Sequence, residues 1–205
     1  MARRLLALAL LLIAAGAPAQ PSRPAAYYGL PEAPRGAALL RGVMLDGHNA
    51  ERAALGLPPL AWDETLAGEA ARYATAMAGS GIFRHSARSE RATPSGENLW
   101  AGPRGLHDYG AMLGTFLDER PLLRPGARLP DLSRSGRWQD VGHYSQLIWR
   151  GTRRLGCALA EGPDKDYLVC RYFPAGNIFG RGPLDDDPAT LASQSAAPYS
   201  STKSR

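Results

Sequence analysis

The feature that most constrains this chain is its pair of cysteines, Cys157 and Cys170, because the residues around them alternate like strands on both sides. Pairing the two fixes a hairpin register in which Leu159 faces Leu168 and Leu155 faces Tyr172. That register leaves Glu161 to Asp166 as a Gly-Pro-Asp turn. Facing Cβ atoms on antiparallel strands lie roughly 4.5 to 5.5 Å apart, within reach of a disulfide, most easily at a non-hydrogen-bonded pair. Ahead of the hairpin, Gly142 to Trp149 carries a helix's worth of large side chains led by His143. After it, Pro174 and Gly176 end the second strand abruptly.

The chemistry of those cysteines depends on the compartment, and the N-terminus speaks to that. Met1 to Ala19 has Arg3 and Arg4, an unbroken apolar run from Leu5 to Ala15, and Ala17-Pro18-Ala19 as a small-residue cleavage site, the pattern of a secretory signal peptide. The apolar run is shorter than the roughly 20 residues of a spanning helix, and no other stretch is long enough to cross a bilayer. An exported chain without Cys-x-x-Cys spacing points to a disulfide rather than a metal knot. Closing a loop of about 14 residues stabilises a fold by roughly 3 kcal/mol in the chain-entropy model.

Removal of Arg3 and Arg4 leaves 22 basic against 19 acidic residues, so the formal charge falls from +5 to +3. The arginines are scattered along the sequence, with no basic block interleaved with aromatics, which argues against nucleic acid as a partner. The expected organisation is a signal peptide over 1–19, a leader over 20–35 that Pro21, Pro24, Pro31 and Pro34 keep out of helix and sheet, one domain over 36–182, and a Ser/Ala/Asp/Pro-biased, disordered tail over 183–205.

Within the domain, Leu40, Val43, Met44, Ala50, Ala54 and Leu55 recur at mostly helical spacing, and Gly56 ends that helix. It carries His48, Asn49 and Arg52, and a histidine on an amphipathic helix more often packs than ligates. Asp63 is the expected N-cap of a second helix with Leu66, Ala70, Tyr73, Ala74 and Met77 inward and Glu64, Glu69 and Arg72 outward. Asp108 caps a third, with Tyr109, Met112, Leu113, Phe116 and Leu117 on one face, Glu119 in its last turn and Pro121 as its stop. Ile82 to Ser86 reads as extended, Gly96 to Trp100 as the start of a strand, and Leu122 to Trp138 as a long aperiodic loop.

The run Gly142-His143-Tyr144-Ser145-Gln146-Leu147-Ile148-Trp149 with Thr152, the segment Tyr167 to Ile178, the pair His48-Asn49 with Arg52, and Gly96-Glu97-Asn98-Leu99 occur in this order. Together they resemble the motifs of the CAP superfamily (cysteine-rich secretory proteins, antigen 5 and pathogenesis-related class 1 proteins), also called the SCP domain. The resemblance spans about residues 38 to 182. It implies an α+β fold, a three-layer α-β-α sandwich around a small antiparallel sheet. Phe116 stands where most relatives have Trp, so the aromatic character three residues before Glu119 is kept.

By the same resemblance, His85 and His143 match the two histidines of the family's central cleft, and Glu97 and Glu119 its two glutamates. Spacing alone does not group them, since 58 positions separate the histidines. Two neutral imidazoles beside two carboxylates suit zinc or another divalent cation, with the glutamates as ligands or as partners of the far ring nitrogens. Two histidines leave a zinc ion with open positions, so binding should be weak.

Three functional classes follow from the resemblance. One is a secreted or periplasmic binding module for a hydrophobic small molecule, such as a lipid or sterol, or for an extracellular protein. The second is a peptidase that uses His85, Glu97, Glu119 and His143 with a hydroxyl such as Ser86 or Ser145, although neither a His-Glu-x-x-His helix nor a Gly-x-Ser-x-Gly elbow is present. The third is a structural envelope or interaction protein. The binding module is the leading expectation.

Overall fold

The computed structural model describes residues 31–186. The stretch expected to be a signal peptide, the expected leader up to residue 30 and the expected tail beyond residue 186 lie outside the described residues.

The hairpin forms in the expected register. Strands β3 (Arg154–Glu161) and β4 (Lys165–Phe173) pair antiparallel with Leu155 opposite Tyr172, Cys157 opposite Cys170 and Leu159 opposite Leu168. The cysteines are joined in a disulfide with Cα atoms 4.1 Å apart, the close approach of a non-hydrogen-bonded pair, and both are buried. Strand β2 (Gly96–Pro103) adds antiparallel to the other side of β4. The sheet order is completed by β1 (Ala61–Trp62), whose two residues run parallel to the start of β3. The sheet is therefore mixed rather than purely antiparallel, with β1 and β2 at its edges.

Alternation along β4 assigns the two faces. Leu168, Cys170 and Tyr172 pack with Leu155, Cys157 and Trp100 against helices α1 (Ala37–Ala54), α3 (Tyr109–Leu117) and α4 (Gly142–Leu147). Tyr167 and Val169 face the opposite way and pack with Leu99 against α2 (Glu64–Ser80). Helix α2 lies close enough that a Cβ on Gly156 of β3 would sit 2.3 Å from the backbone nitrogen of Ala67. The third core unites Leu129 and Leu132 of the long loop with Val141 and Trp149, so this aperiodic segment folds around its own apolar residues.

Helix starts follow local chemistry. The Asp63 carboxylate accepts from Leu66 N at 3.0 Å and that of Asp108 from Ala111 N at 2.7 Å, as N-caps do. Gly81 closes α2 in the left-handed region, at φ 70°. Three expectations are corrected. Helix α3 ends before Glu119, which stands at the entry to a 3-10 turn over Arg120–Leu122. Glu69 faces inward, where it accepts the Thr93 hydroxyl at 2.6 Å, because the loop after residue 91 folds over that side of α2. In α1 the buried stripe runs Leu40, Met44, His48, Glu51, Arg52 while Ala50, Ala54 and Leu55 stay exposed.

That switch from apolar to polar burial is affordable because each polar group is satisfied. Arg52 donates to the carbonyls of Pro58, Leu147, Trp149 and Thr152 at 2.8 to 3.2 Å. Glu51 accepts from the Tyr144 hydroxyl at 2.7 Å and is paired with Arg120. His48, expected to pack rather than ligate, lies between Met44 O at 2.6 Å and the Tyr172 hydroxyl at 2.8 Å. At the domain edges the packed chain reaches beyond 36–182. Arg35 bonds the buried Asp166 at 2.7 Å, and Arg150 N bonds Pro183 O at 2.7 Å.

Candidate functional site

Strand β2 is a sheet edge, and successive residues at its start point to opposite faces. Glu97 turns toward the α2 side and Asn98 toward the α4 side. The cleft is built around that edge. Its volume is about 830 Å3, and His85, Arg88, Gly96, Glu97, Asn98, Trp138, His143, Gln146, Asn177 and Ile178 are among its lining residues.

On the α2 side, His85 Nδ1 lies 2.7 Å from Glu97 Oε1. An ionised carboxylate only accepts, so Nδ1 carries a proton, and in the neutral ring the lone pair is on Nε2. Glu97 is held in turn by Ser86 N and Oγ at 3.0 and 2.7 Å and by Arg171 at 3.0 Å. Arg171 and Glu97 are directly paired across β4 and β2, and only 2% and 1% of their side chains are exposed. Burial raises the Glu97 pKa, but the bonds from His85 and Ser86 and the charges of Arg171 and Arg91 outweigh it and hold the carboxyl below its ordinary value.

On the α4 side, His143 Nδ1 lies 2.5 Å from Glu119 Oε1. The other oxygen of Glu119 accepts the backbone N–H groups of His143 and Tyr144 at 2.9 and 3.0 Å, so one carboxylate orients the ring and satisfies the start of α4. Phe116 stacks on the imidazole with centroids 4.8 Å apart and planes 20° from parallel. Behind His143, Asn98 Nδ2 donates to its carbonyl at 3.0 Å and to the Tyr172 hydroxyl at 3.1 Å. Tyr172 donates onward to His48 Nε2, since Nδ1 of that ring gives its proton to Met44 O. Burial, aided by the charge of Arg52 and opposed by the Met44 bond, lowers His48 to a pKa of about 4 and keeps it neutral.

The sequence-predicted residues thus form two carboxylate–histidine pairs. His85, Glu97 and His143 line the cleft, whereas Glu119 stands behind His143. Among the described residues no group of three or more His, Cys, Asp or Glu side chains is placed to hold a metal ion. The donor set that remains is the pair of Nε2 atoms. Ser145 meets no base, and the Ser86 hydroxyl, which donates to the Glu97 carboxylate, also accepts from two arginines. Ser145 Oγ, fully buried, donates toward Asn177 Oδ1 at 2.6 Å, and Ser86 Oγ is held between Glu97, Arg91 and Arg171.

Arg171, Arg91 and Asn98 escaped the sequence reading as site residues. The signal for Arg171 was available: in strand alternation it shares a face with Val169, where a buried cation needs a carboxylate directly across, and Glu97 occupies that position. Arg91, which braces the Ser86 and Ser95 carbonyls, leaves no such trace.

A second cavity of about 720 Å3 opens between α1 and α2 along the part of β3 that the short β1 leaves unpaired. Leu40, Trp62, Ala67, Gly68, Ala71 and Leu159 are among the residues that line it.

These features define an α-β-α sandwich with one buried disulfide and a two-histidine cleft. The family model described as CAP, the cysteine-rich secretory protein family, matches residues 45–172. Pathogenesis-related protein 1C of Nicotiana tabacum is 32% identical over 140 residues, covering 68% of this chain and 77% of the relative. The basic form of pathogenesis-related protein 1 from the same plant is 35% identical over 144 residues, covering 69% and 74%. The crystal structure of NaASP2 with Zn2+ superposes with a TM-score of 0.60 at 23% identity, over 76% of this chain and 90% of that one, and the structure of BmVAL-1 with 0.57 at 25%, over 74% and 85%. The chain belongs to the CAP family. No helix among the described residues is long and apolar enough to cross a membrane.

Proposed function

We propose that this chain is an exported CAP-domain binding module whose cleft takes a divalent cation such as zinc weakly, between His85 and His143, and presents it to a partner. One observation carries the reading: both glutamates are spent on Nδ1 atoms, which leaves two oriented Nε2 lone pairs as ligands. Two ligands leave most of a zinc shell to water, which makes for modest affinity. Export is supported by the character of residues 1–19 and by a disulfide sealed in the core. A hydrolytic role is disfavoured by the bonding of Ser86 and Ser145. Binding should weaken on acidification, because ligating imidazoles must be neutral.

Calorimetry with zinc on the wild type, His85→Ala and His143→Ala tests this reading. Weak binding lost in both variants supports it, whereas unchanged affinity in both places any metal elsewhere. Efficient peptide cleavage by the pure protein, lost in the same variants, establishes the peptidase instead.

The second cavity favours a parallel reading, in which an apolar small molecule such as a lipid or sterol lies between α1 and α2. Saturable uptake of a fluorescent sterol, abolished by Gly68→Leu and untouched by His143→Ala, is the expected result. Uptake unaffected by Gly68→Leu excludes this groove.

A further inference from the structure

Of the arginines scattered through the sequence, Arg88 and Arg91 line the cleft, and others stand in the segments that form its walls. Three segments reach its walls, 82–91, 134–140 and 176–181, and they contain six arginines against two acidic residues, Glu90 and Asp140. Arg88 lines the cleft and forms no ion pair among the described residues. The acidic group on the floor, Glu97, is already compensated by Arg171 and Arg91, so it does not repel an incoming anion strongly.

The same segments also hold unburied apolar side chains, of which Ile178 lines the cleft itself. Of the eight exposed large hydrophobics among the described residues, four are Ile82 and Phe83 beside His85, and Ile178 and Phe179 on the other wall. Phe179 is 66% exposed and meets the Trp138 ring edge-on at 6.1 Å. Apolar side chains concentrated at the mouth of a concavity mark an interaction site. A flat lipid surface would leave the polar floor of the cleft unfilled, whereas a chain of side chains fills it.

Resting on the reading of the cleft as a binding site, we propose that the cleft and its rim dock an acidic segment of a partner protein. A bulky apolar residue of that segment packs against Trp138 and Phe179, and its carboxylates face Arg88 and the surrounding arginines. Apolar anchors supply most of the affinity in such contacts, and charge supplies selectivity and rate.

The test uses the full mature chain and a short fluorescent peptide alternating glutamate and phenylalanine, read by anisotropy at low and physiological salt. A lysine–phenylalanine peptide and vesicles of phosphatidylcholine with phosphatidylserine are the comparisons. The acidic peptide should bind saturably, and the basic one about tenfold more weakly or worse. Phe179→Ser and Arg88→Glu, both exposed, should each cost about fivefold or more with melting temperature unchanged. Arg88→Glu should also narrow the gap between the two peptides. Equal binding of both peptides, indifference to both substitutions, or binding to the vesicles alone overturns the proposal. Because Phe179 is outside the cleft lining and Phe179→Ser adds no metal ligand, zinc titration of that variant reads the cleft independently. Retained zinc binding with no peptide binding overturns this inference and leaves the cation reading standing.

Discussion

Glu119 and His143 are joined twice: one carboxylate oxygen lies 2.5 Å from the ring Nδ1 and the other accepts the residue's own backbone N–H at 2.9 Å. A single side chain thereby fixes the tautomer of the imidazole and the position of the helix that carries it. Glu119→Gln keeps one oxygen for the two backbone N–H groups but puts an NH2 donor where the carboxylate held the proton on Nδ1. Zinc affinity should fall by about 10- to 100-fold, as it does when partners of metal-bound histidines are lost. Stability should fall by only about 1 to 2 kcal/mol. Calorimetry beside urea denaturation separates the two effects. An unchanged zinc affinity would remove Glu119 from the site.

The Glu97–Arg171 pair tests burial rather than binding. Glu97→Gln leaves the Arg171 guanidinium sealed in the protein with its opposite charge gone, a change that costs about 3 to 5 kcal/mol at buried pairs. Replacing both, with Glu97→Gln and Arg171→Met, should recover part of that loss. Chemical denaturation of the three proteins measures it. A single variant as stable as the double would mean that Arg171 finds another acceptor.

Stability should decline in mild acid through His48. Its folded pKa of about 4 lies below the unfolded value of 6.5, so between these limits the unfolded chain binds the extra proton. The contribution is complete above 6.5 and is lost as pH falls toward 4, amounting to about 2 to 3 kcal/mol at most. Glu97, held below the ordinary carboxylate range, adds a loss of the same sign at still lower pH. Urea midpoints from pH 7 to 4.5 should fall in the wild type and flatten in His48→Gln. Equal slopes in both proteins would contradict the assignment.

Gly156 is a steric prediction. A methyl group there would meet the backbone of Ala67 at 2.3 Å and that of Asp63 and Leu66 at 2.7 Å, so helix α2 would have to lift from the sheet. Overpacking costs of about 1 to 3 kcal/mol or more are expected for Gly156→Ala. At Gly114, where no atom lies within 4 Å of such a Cβ, alanine should be neutral or slightly stabilising by helix propensity. Thermal melts of the two variants decide it.

Local interactions made much of this protein legible in its sequence. Pairing Cys157 with Cys170 set the hairpin register, and a period of two residues set the two faces of β4. Short polar side chains announced the starts of α2 and α3 at Asp63 and Asp108, and the resemblance of four motifs pointed to His85, Glu97 and His143, which line the cleft, and to Glu119, which stands behind His143. Partnerships across long stretches of chain were decided only by the tertiary structure. Residues 24 and 12 positions apart meet as His143–Glu119 and His85–Glu97, and Glu69 turns inward because a loop more than 20 residues away covers it. The charged pair Glu51 and Arg52 looks like solvent-facing helix until the carbonyls and hydroxyls of α4 and the loop behind it arrive to satisfy it. Propensity and periodicity act along the chain. Whether a polar group can be buried depends on the partners that folding brings to it, and no window of sequence contains them.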